Sequence, residues 1–231
     1  MMNYRAKKHS TLVLVLLGLD ILIQAVQIGL NVKLEAAIDL LTQQTNDPAS
    51  RHYVEQLIQF NHVLYYTKIV SFLLLGIAIL TWIFRAHRFV HTTVNATNIK
   101  FTDAACVVYF FIPIANLFMP YKAMKETWLA SEHPDSWRNQ PTPITLVVWW
   151  ILWLLYINFA LMIVLVWHEY HTLTLIQEMT FITTTASVLS LLLSGIVLLI
   201  VLQIDGIQNK YVASTTSDFP KSAPKNSLVS E

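Results

Sequence analysis

The first candidate for chemistry is a row of polar side chains inside an apolar segment. Asp20 stands near the middle of residues 11–30, with Gln24 and Gln27 at i+4 and i+7, so that the three side chains share one helix face. A carboxyl group in hydrocarbon is costly and should face other helices, neutral or paired. Lys68, inside a second apolar segment, is the obvious partner. The row predicts either a proton or ion relay, or helix association through polar contacts.

A second candidate is the histidine-containing string His168, Glu169, Tyr170, His171. Histidines three residues apart can share a helix face and bind Zn²⁺, but the string lacks the His-Glu-x-x-His spacing of metalloproteases. We therefore predict no metal site. The chain also contains no phosphate-binding glycine loop, nucleophile elbow or carboxylate pair with hydrolase geometry. No catalytic residue and no cofactor is predicted, and a protein without enzymatic activity is favoured.

A third candidate is the basic group that follows the second apolar segment. Arg85 and Arg88, with His87 and His91, come directly after it. Such side chains at the cytoplasmic end of a span can hold anionic lipid headgroups. They are equally typical of the general excess of Lys and Arg on the cytoplasmic side, and both interpretations stay open.

Composition indicates what must position these residues. Hydrophobic residues make up 55% of the chain and charged residues only 13%, whereas soluble domains carry about 25% charged residues. The chain is therefore expected to be an integral membrane protein. A net charge of +1 argues against nucleic-acid binding, which normally needs a concentrated basic face. The single cysteine, Cys106, excludes an internal disulfide and is expected to be a small buried hydrophobe.

Four apolar segments are long enough to cross a hydrocarbon core of ~30 Å as helices. They cover about residues 11–30, 63–84, 143–167 and 181–204. Residues 1–10 form a basic N-terminus that precedes the first segment. No small-x-small cleavage site follows Ala25, so this segment is predicted to be an uncleaved signal anchor. Helical patches at 34–41 and 54–60 could extend the first two spans beyond the bilayer.

A fifth apolar run, residues 104–119, is shorter and contains Pro113 and Asn116. If the run crosses the membrane, the Lys and Arg residues outside the spans divide 6 against 8; if it returns on the same side, they divide 12 against 2. Because Lys and Arg accumulate in the cytoplasm, the second arrangement is favoured. It predicts cytoplasmic N- and C-termini and a re-entrant or interfacial element at 104–119, with a kinked fifth spanning helix as the alternative.

Proline within this run bears on where the run lies. Pro113 removes a backbone donor, and bare backbone is tolerated at membrane depth only when protein or water covers it. We therefore expect residues 104–119 to lie against the helix bundle rather than against lipid. Asn116 could bond the carbonyl groups freed near Pro113, or it could line a polar cavity.

The residues after this run predict an amphipathic helix over 120–131. Pro120 suits the first turn of a helix, and Tyr121, Met124 and Trp128 follow on one face. Such a helix should lie in the cytoplasmic headgroup region with its aromatic side chains dipping inward. Residues 213–231 are rich in Ser, Thr, Pro and Lys and are predicted to be a disordered cytoplasmic tail.

The last span carries Ala186, Ser190 and Ser194 at intervals of four residues. Small residues at this spacing permit close approach of two helices. The ridge could pack inside the bundle or form the contact surface of a homo-oligomer.

One block of the chain also resembles a known family. The residues that carry the resemblance are Trp82, Arg85, Ala86, Phe101, Thr102, Phe111, Pro113, Asn116, Pro120, Tyr121, Met124, Glu126, Trp128 and Ser131, followed by Trp149-Trp150. Over residues 82–131 the chain resembles the bacterial multi-pass membrane family called domain of unknown function 4328. Phe89 departs from the family, which often has Asn there. The resemblance implies a multi-pass membrane protein and brings no activity.

These observations predict an all-α fold, a membrane four-helix bundle over residues 11–212 in the cell (inner or plasma) membrane. The leading hypothesis is a non-enzymatic accessory or regulatory protein whose cytoplasmic face, residues 85–131, contacts anionic lipid headgroups or a partner. The alternative is a small transporter or channel that uses Asp20, Lys68 and Asn116. A membrane enzyme that acts on lipid is a weaker third hypothesis.

Overall fold

The fold is α-helical throughout the described backbone. The computed structural model describes residues 2–43, 47–166 and 173–217, and within these ranges it contains no strand. The helices, numbered in chain order, are α1 (Met2–Gln43), α2 (Pro48–Phe89), α3 (Ala105–Val108), α4 (Pro113–Asn116), α5 (Met119–Glu132), α6 (Ile144–Val166) and α7 (Leu173–Ser217). The predicted all-α class is confirmed.

Four of these helices could cross a membrane. In the described part of the chain the segments of sufficient length and apolar character are Ser10–Gln43, Pro48–Val94, Ile144–Ile163 and Leu175–Thr215. The expectation of four apolar helices is therefore confirmed. α1 and α2 have 42 residues each and α7 has 45. At ~1.5 Å per residue, each of these helices is over 60 Å long. These three helices are about twice as long as the hydrocarbon core is thick. The predicted helical patches at 34–41 and 54–60 are continuous parts of α1 and α2.

The long helices pack as a chain of neighbours. α1 packs against both α2 and α7, and α6 packs against α7. At one end of the bundle a core cluster joins Val13 of α1, Trp82 of α2, Trp150 of α6 and Ile204 of α7. At the other end a smaller cluster, which includes Ile38, holds α1 to α2.

Residues 95–143, which connect α2 to α6, form a structure that we call the platform. The end of α2 widens into a π-helical turn over Val90–Val94. Asn95 and Asn98 follow with φ angles of 56° and 59°, and asparagine is one of the few residues that tolerate this left-handed conformation. The chain thereby reverses towards α2. Trp137 then closes the platform, because its Nε1–H donates to the Thr97 carbonyl at 3.0 Å.

The run 104–119 contains two one-turn helices, α3 and α4, and no continuous helix that could cross a membrane. Cys106 is fully buried, as predicted. The expectation that the run lies against the bundle is wrong for its second half, since Phe111 and Ile114 are 72% and 77% exposed. The cause is local. Pro113 starts a new helical turn, and the Asn116 N–H donates to the Ile112 carbonyl at 2.7 Å, so this backbone needs no cover from the bundle.

Most of helix α5 is buried in the protein, although Lys122 and Glu132 are exposed. Met124, Thr127 and Trp128 are all buried, so the prediction that the aromatic side chains of 120–131 dip into the membrane is wrong. The polar residues of the helix tolerate burial because the Thr127 and Ser131 hydroxyls donate to carbonyls one turn earlier, those of Ala123 and Thr127, at 2.9 and 2.7 Å.

The predicted disordered tail begins too early. α7 continues to Ser217, so the prediction is wrong for residues 213–217, and residues 218–231 lie outside the described range. Proline would interrupt such a helix, and none occurs between the predicted span at 181–204 and Pro220.

Candidate functional site

The carboxyl group of Asp20, in the apolar part of α1, is buried between α1 and α7. Ser194 donates its hydroxyl proton to Asp20 Oδ2 at 2.6 Å, and Gln24 Nε2 donates to Oδ1 at 3.1 Å. Lys68 instead donates to Ser187 Oγ at 3.1 Å, and no ion pair joins Asp20 to Lys68 within the described residues. Asp20 and Lys68 are therefore hydrogen-bonded to separate hydroxyl groups of α7, those of Ser194 and Ser187, rather than to each other.

The same row of polar side chains continues along α1. Gln27 Nε2 donates to Asn31 Oδ1 and Asn61 Oδ1 at 2.8 and 2.7 Å. Asn31 Nδ2 in turn donates to the Thr183 and Thr184 hydroxyls at 3.0 and 2.8 Å. This network joins α1, α2 and α7, which is the geometry of helix association through polar contacts.

The small-residue ridge of α7 lies inside the bundle. Ala186, Ser190 and Ser194 are buried, and the hydroxyl groups of the two serines point at Asp20. The ridge thus allows α7 to approach α1 within one chain.

A cavity of about 450 Å³ lies between α2 and α6, with α1 and α7 contributing to its walls. Its apolar lining includes Ile69, Phe72, Leu73, Ile157, Ala160 and Ile163. Lys68 lines the cavity, whereas Asp20 and Asn116 are not among the lining residues. The three residues predicted for a transport site therefore do not form one site.

At the other end of α2, a buried polar cluster joins this helix to the platform. His87 is fully buried, with Nδ1 at 3.0 Å from Asp103 Oδ1 and Nε2 at 3.3 Å from Glu126 Oε1. The Glu126 carboxyl group also accepts the backbone N–H groups of Lys100 and Phe101, at 2.9 and 3.0 Å. Burial by itself raises the pKa of Glu126, but the hydrogen bonds from His87 and from the two backbone groups outweigh it and hold the pKa below its usual value. Glu126 is therefore ionised at neutral pH.

A second histidine adjoins this cluster. The His91 ring lies 4.8 Å from the His87 ring between centroids, and its Nδ1 is 3.8 Å from Asp103 Oδ1. One potential metal-ligating atom from each of His87, His91 and Asp103 lies within 4.8 Å of the other two. Sequence analysis missed this constellation, because Asp103 is 16 residues from His87 and no local spacing relates them. The string at His168–His171, considered there for metal binding, lies outside the described residues.

The comparison with protein families bears on this end of the bundle. The model of the family described as Domain of unknown function (DUF4328) matches residues 50–206, which is more than half of the chain. The chain belongs to this family. No curated protein and no solved structure matches the chain. The resemblance predicted over residues 82–131 is confirmed, and the DUF4328 region contains the platform and the His87–Glu126 cluster but not Asp20.

Several residues that carried the resemblance hold the DUF4328 region together. Trp82 Nε1 donates to Asp205 Oδ1 at 3.0 Å, which ties α2 to α7. Gln208 Nε2 donates to Ser131 Oγ at 3.1 Å, which ties α7 to α5. The Tyr121 ring packs against Trp150 of α6 with 6.2 Å between centroids. Pro120, Met124 and Trp128 are buried beside them.

The remaining predicted site residues of the DUF4328 region face outwards or lack partners. Arg85 and Arg88 are exposed, and neither guanidinium makes a hydrogen bond or ion pair in the part of the chain that the structure describes. Pro113 is exposed. Asn116 Oδ1 is buried and has no hydrogen-bond partner among the described residues. The hydrogen bond that Asn116 makes to the carbonyl next to Pro113 comes from its backbone N–H, which donates to the Ile112 carbonyl at 2.7 Å.

Proposed function

We propose that this chain is a multi-pass protein of the cell (inner or plasma) membrane, with both termini cytoplasmic. It acts as a non-enzymatic accessory or regulatory protein, and the end of α2 together with the platform contacts anionic lipid headgroups. The observation that carries the proposal is the combination, at one end of the bundle, of an exposed apolar tip with exposed cationic side chains.

The apolar tip lies in the run 104–119. Its exposed side chains are Val108, Phe111, Ile112, Ile114, Leu117 and Phe118. Large apolar patches on a protein surface mark membrane or protein contacts, and side chains of this kind insert at the boundary between headgroups and acyl chains. The tip supports an interfacial position for the platform, with its apolar side chains in the outer part of the hydrocarbon layer.

The cationic side chains accompany this tip. Arg85, Arg88, Lys100, Lys122 and Arg138 are exposed at the end of α2 or on the platform. A Lys or Arg near an anionic leaflet is attracted by about 1 kcal/mol. The same residues contribute to the division of 12 cationic residues against 2 that favours a cytoplasmic platform.

Headgroup contact is tested by lipid retention. The full chain is reconstituted in nanodiscs of mixed phosphatidylglycerol and phosphatidylcholine, and native mass spectrometry counts the lipids that remain bound. We expect a variant with Arg85→Ala and Arg88→Ala to retain several-fold less phosphatidylglycerol. The control is Lys33→Ala, which replaces an exposed lysine near the C-terminal end of α1. This variant should retain as much phosphatidylglycerol as the wild type. Equal retention by all three proteins would contradict headgroup binding.

Orientation is tested by labelling cysteines in intact cells. In a Cys106→Ala background, single cysteines are introduced by Asp135→Cys on the platform and Gln43→Cys at the end of α1, both at exposed positions. A membrane-impermeant maleimide should label the cysteine at position 43 and spare the one at 135. The reverse result would overturn the cytoplasmic position of the platform.

A second candidate function is solute transport, and the cavity between α2 and α6 favours it because Lys68 lines that cavity. A membrane-embedded lysine beside a cavity is a default candidate for an ion or proton pathway. Proton flux into proteoliposomes, followed by an enclosed pH-sensitive dye, should fall with Lys68→Met and persist with Lys33→Met. If Lys68→Met leaves the flux unchanged, or if there is no flux, this candidate fails.

A further inference from the structure

The cluster at the junction of α2 and the platform has a geometry that hydrogen bonds from a neutral His87 do not explain. Both oxygens of Glu126 accept backbone N–H groups, from Lys100 and Phe101. A carboxylate placed in this way is an acceptor, so the Nε2–H of His87 donates to it. In a neutral imidazole the other nitrogen, Nδ1, then carries a lone pair.

That lone pair faces another acceptor. His87 Nδ1 lies 3.0 Å from Asp103 Oδ1, and a lone pair facing a carboxylate oxygen at this distance is repulsive unless a proton or a metal ion lies between them. The same Asp103 oxygen lies 3.8 Å from His91 Nδ1. His91 Nε2 is buried and has no hydrogen-bond partner among the described residues, so its ring is not held by a bond that would oppose reorientation towards a metal ion.

We propose that His87, His91 and Asp103 bind a divalent transition-metal ion of the zinc class, which joins the end of α2 to the platform. Zinc bonds to nitrogen and oxygen ligands are about 2.0–2.2 Å long, so ligand atoms around a tetrahedral zinc ion stand about 3.3–3.6 Å apart. The observed separations of 3.0 and 3.8 Å lie on either side of this range. The three atoms lie within 4.8 Å of one another, and the widest pair must come closer when the ion binds.

The local fold presents these ligands together. His87 and His91 are four residues apart and share a helix face, and the π-helical turn that begins at Val90 carries His91. π-turns inside helices occur frequently at functional sites. The reversal of the chain through Asn95 and Asn98 brings Asp103 back onto the same face.

The surroundings match those of metal-binding histidines. A histidine that binds a metal usually donates its other N–H to a carboxylate, which is the arrangement of His87 with Glu126. Glu126 is thus a positioning residue for the site. The side chains of His91 and Asp103 are 33% and 23% exposed, so an ion can enter from solvent, and water can complete the coordination. Two imidazoles and one carboxylate suit zinc and its first-row neighbours rather than calcium or magnesium.

The competing explanation is a doubly protonated His87 that bridges Asp103 and Glu126 without metal. To separate the two, the full chain is purified in detergent with a tag that contains no histidine and is stripped with a chelator. Calorimetry with zinc chloride should give one zinc ion per chain. His91→Ala and Asp103→Asn should each weaken zinc binding at least tenfold, and His52→Ala, which replaces an exposed histidine of α2, should leave it unchanged.

The proposal is overturned if the wild type takes up no zinc, or if the two variants bind zinc as the wild type does. Circular dichroism reports whether the variants are folded. If either is not, modification of the wild type by diethyl pyrocarbonate decides between the explanations. Zinc should protect His91 but not His52, and equal modification of His91 with and without zinc overturns the site.

Discussion

Ser194 Oγ lies 2.6 Å from Asp20 Oδ2, so a short hydrogen bond joins the last helix of the bundle to the first across 174 residues of sequence. The small serine side chain also lets α7 approach α1 closely. A carboxyl group that seemed to need a basic partner is therefore satisfied by hydroxyl and amide donors.

The first prediction removes this bond. We expect Ser194→Ala to lower the free energy of unfolding by about 0.6–2 kcal/mol, the range found for hydrogen bonds between membrane helices. Thr185→Ala is the matched control, because the Thr185 hydroxyl donates only to the Phe181 carbonyl of its own helix. Unfolding of the detergent-solubilised chain by a denaturing detergent measures both changes. Equal losses in the two variants would show that the bond to Asp20 has no special weight.

The second prediction compares two tryptophans. Trp82 Nε1 donates to Asp205 Oδ1 at 3.0 Å, whereas Trp153 Nε1 is buried and has no hydrogen-bond partner among the described residues. Trp82→Phe leaves the partly buried carboxyl group of Asp205 without one donor, and the loss of a partner by a buried polar group costs about 1–3 kcal/mol. Trp153→Phe removes an unsatisfied donor and should be neutral or slightly stabilising.

Thermal unfolding of both variants in the same detergent tests this comparison. Trp82→Phe should unfold at a clearly lower temperature than Trp153→Phe. The opposite order would mean that ring packing, rather than the Nε1 hydrogen bond, dominates at these two positions.

Local patterns in the sequence predicted the helices, because an apolar run of about 20 residues determines its own secondary structure in a membrane. They predicted equally well that Asp20, Gln24 and Gln27 share a face. The hydrogen-bond partners of the buried polar side chains could not be predicted from local patterns. Lys68 was the only basic residue within a span, but the nearest donor to Asp20 comes from Ser194, and nothing local relates Glu126 to a histidine 39 residues earlier.

The third prediction concerns Glu126, the acceptor of two backbone N–H groups and of His87. Glu126→Ala leaves all three donors without their acceptor, and each buried donor that loses its partner costs about 1–3 kcal/mol. The loss should be local to the junction of the platform with α2. Hydrogen exchange should therefore accelerate strongly at the amides of Lys100 and Phe101. Glu132→Ala, at an exposed position of the same helix, should leave both amides protected, and unchanged exchange in Glu126→Ala would contradict the assigned contacts.

The fourth prediction concerns the reactivity of Cys106, the free cysteine of α3. Burial, followed by the negative charges of Glu126 and Asp103, raises the pKa of its thiol to about 12. The thiolate is the reactive form of cysteine, so at pH 8 a thiol with this pKa is almost entirely unreactive. A maleimide should label native Cys106 far more slowly than the exposed cysteine introduced by Asp135→Cys in a Cys106→Ala background.

The dependence on pH separates the raised pKa from simple lack of access. The labelling rate of the exposed cysteine should level off above its ordinary pKa of about 8.5, whereas that of native Cys106 should keep rising as the pH approaches 12, for as long as the protein stays folded. In a denaturing detergent the two rates should become equal, because burial and the neighbouring charges are lost together. If native Cys106 reacts at pH 8 as fast as the exposed cysteine, α3 does not pack against the core, and the platform is held to α2 by its polar cluster alone.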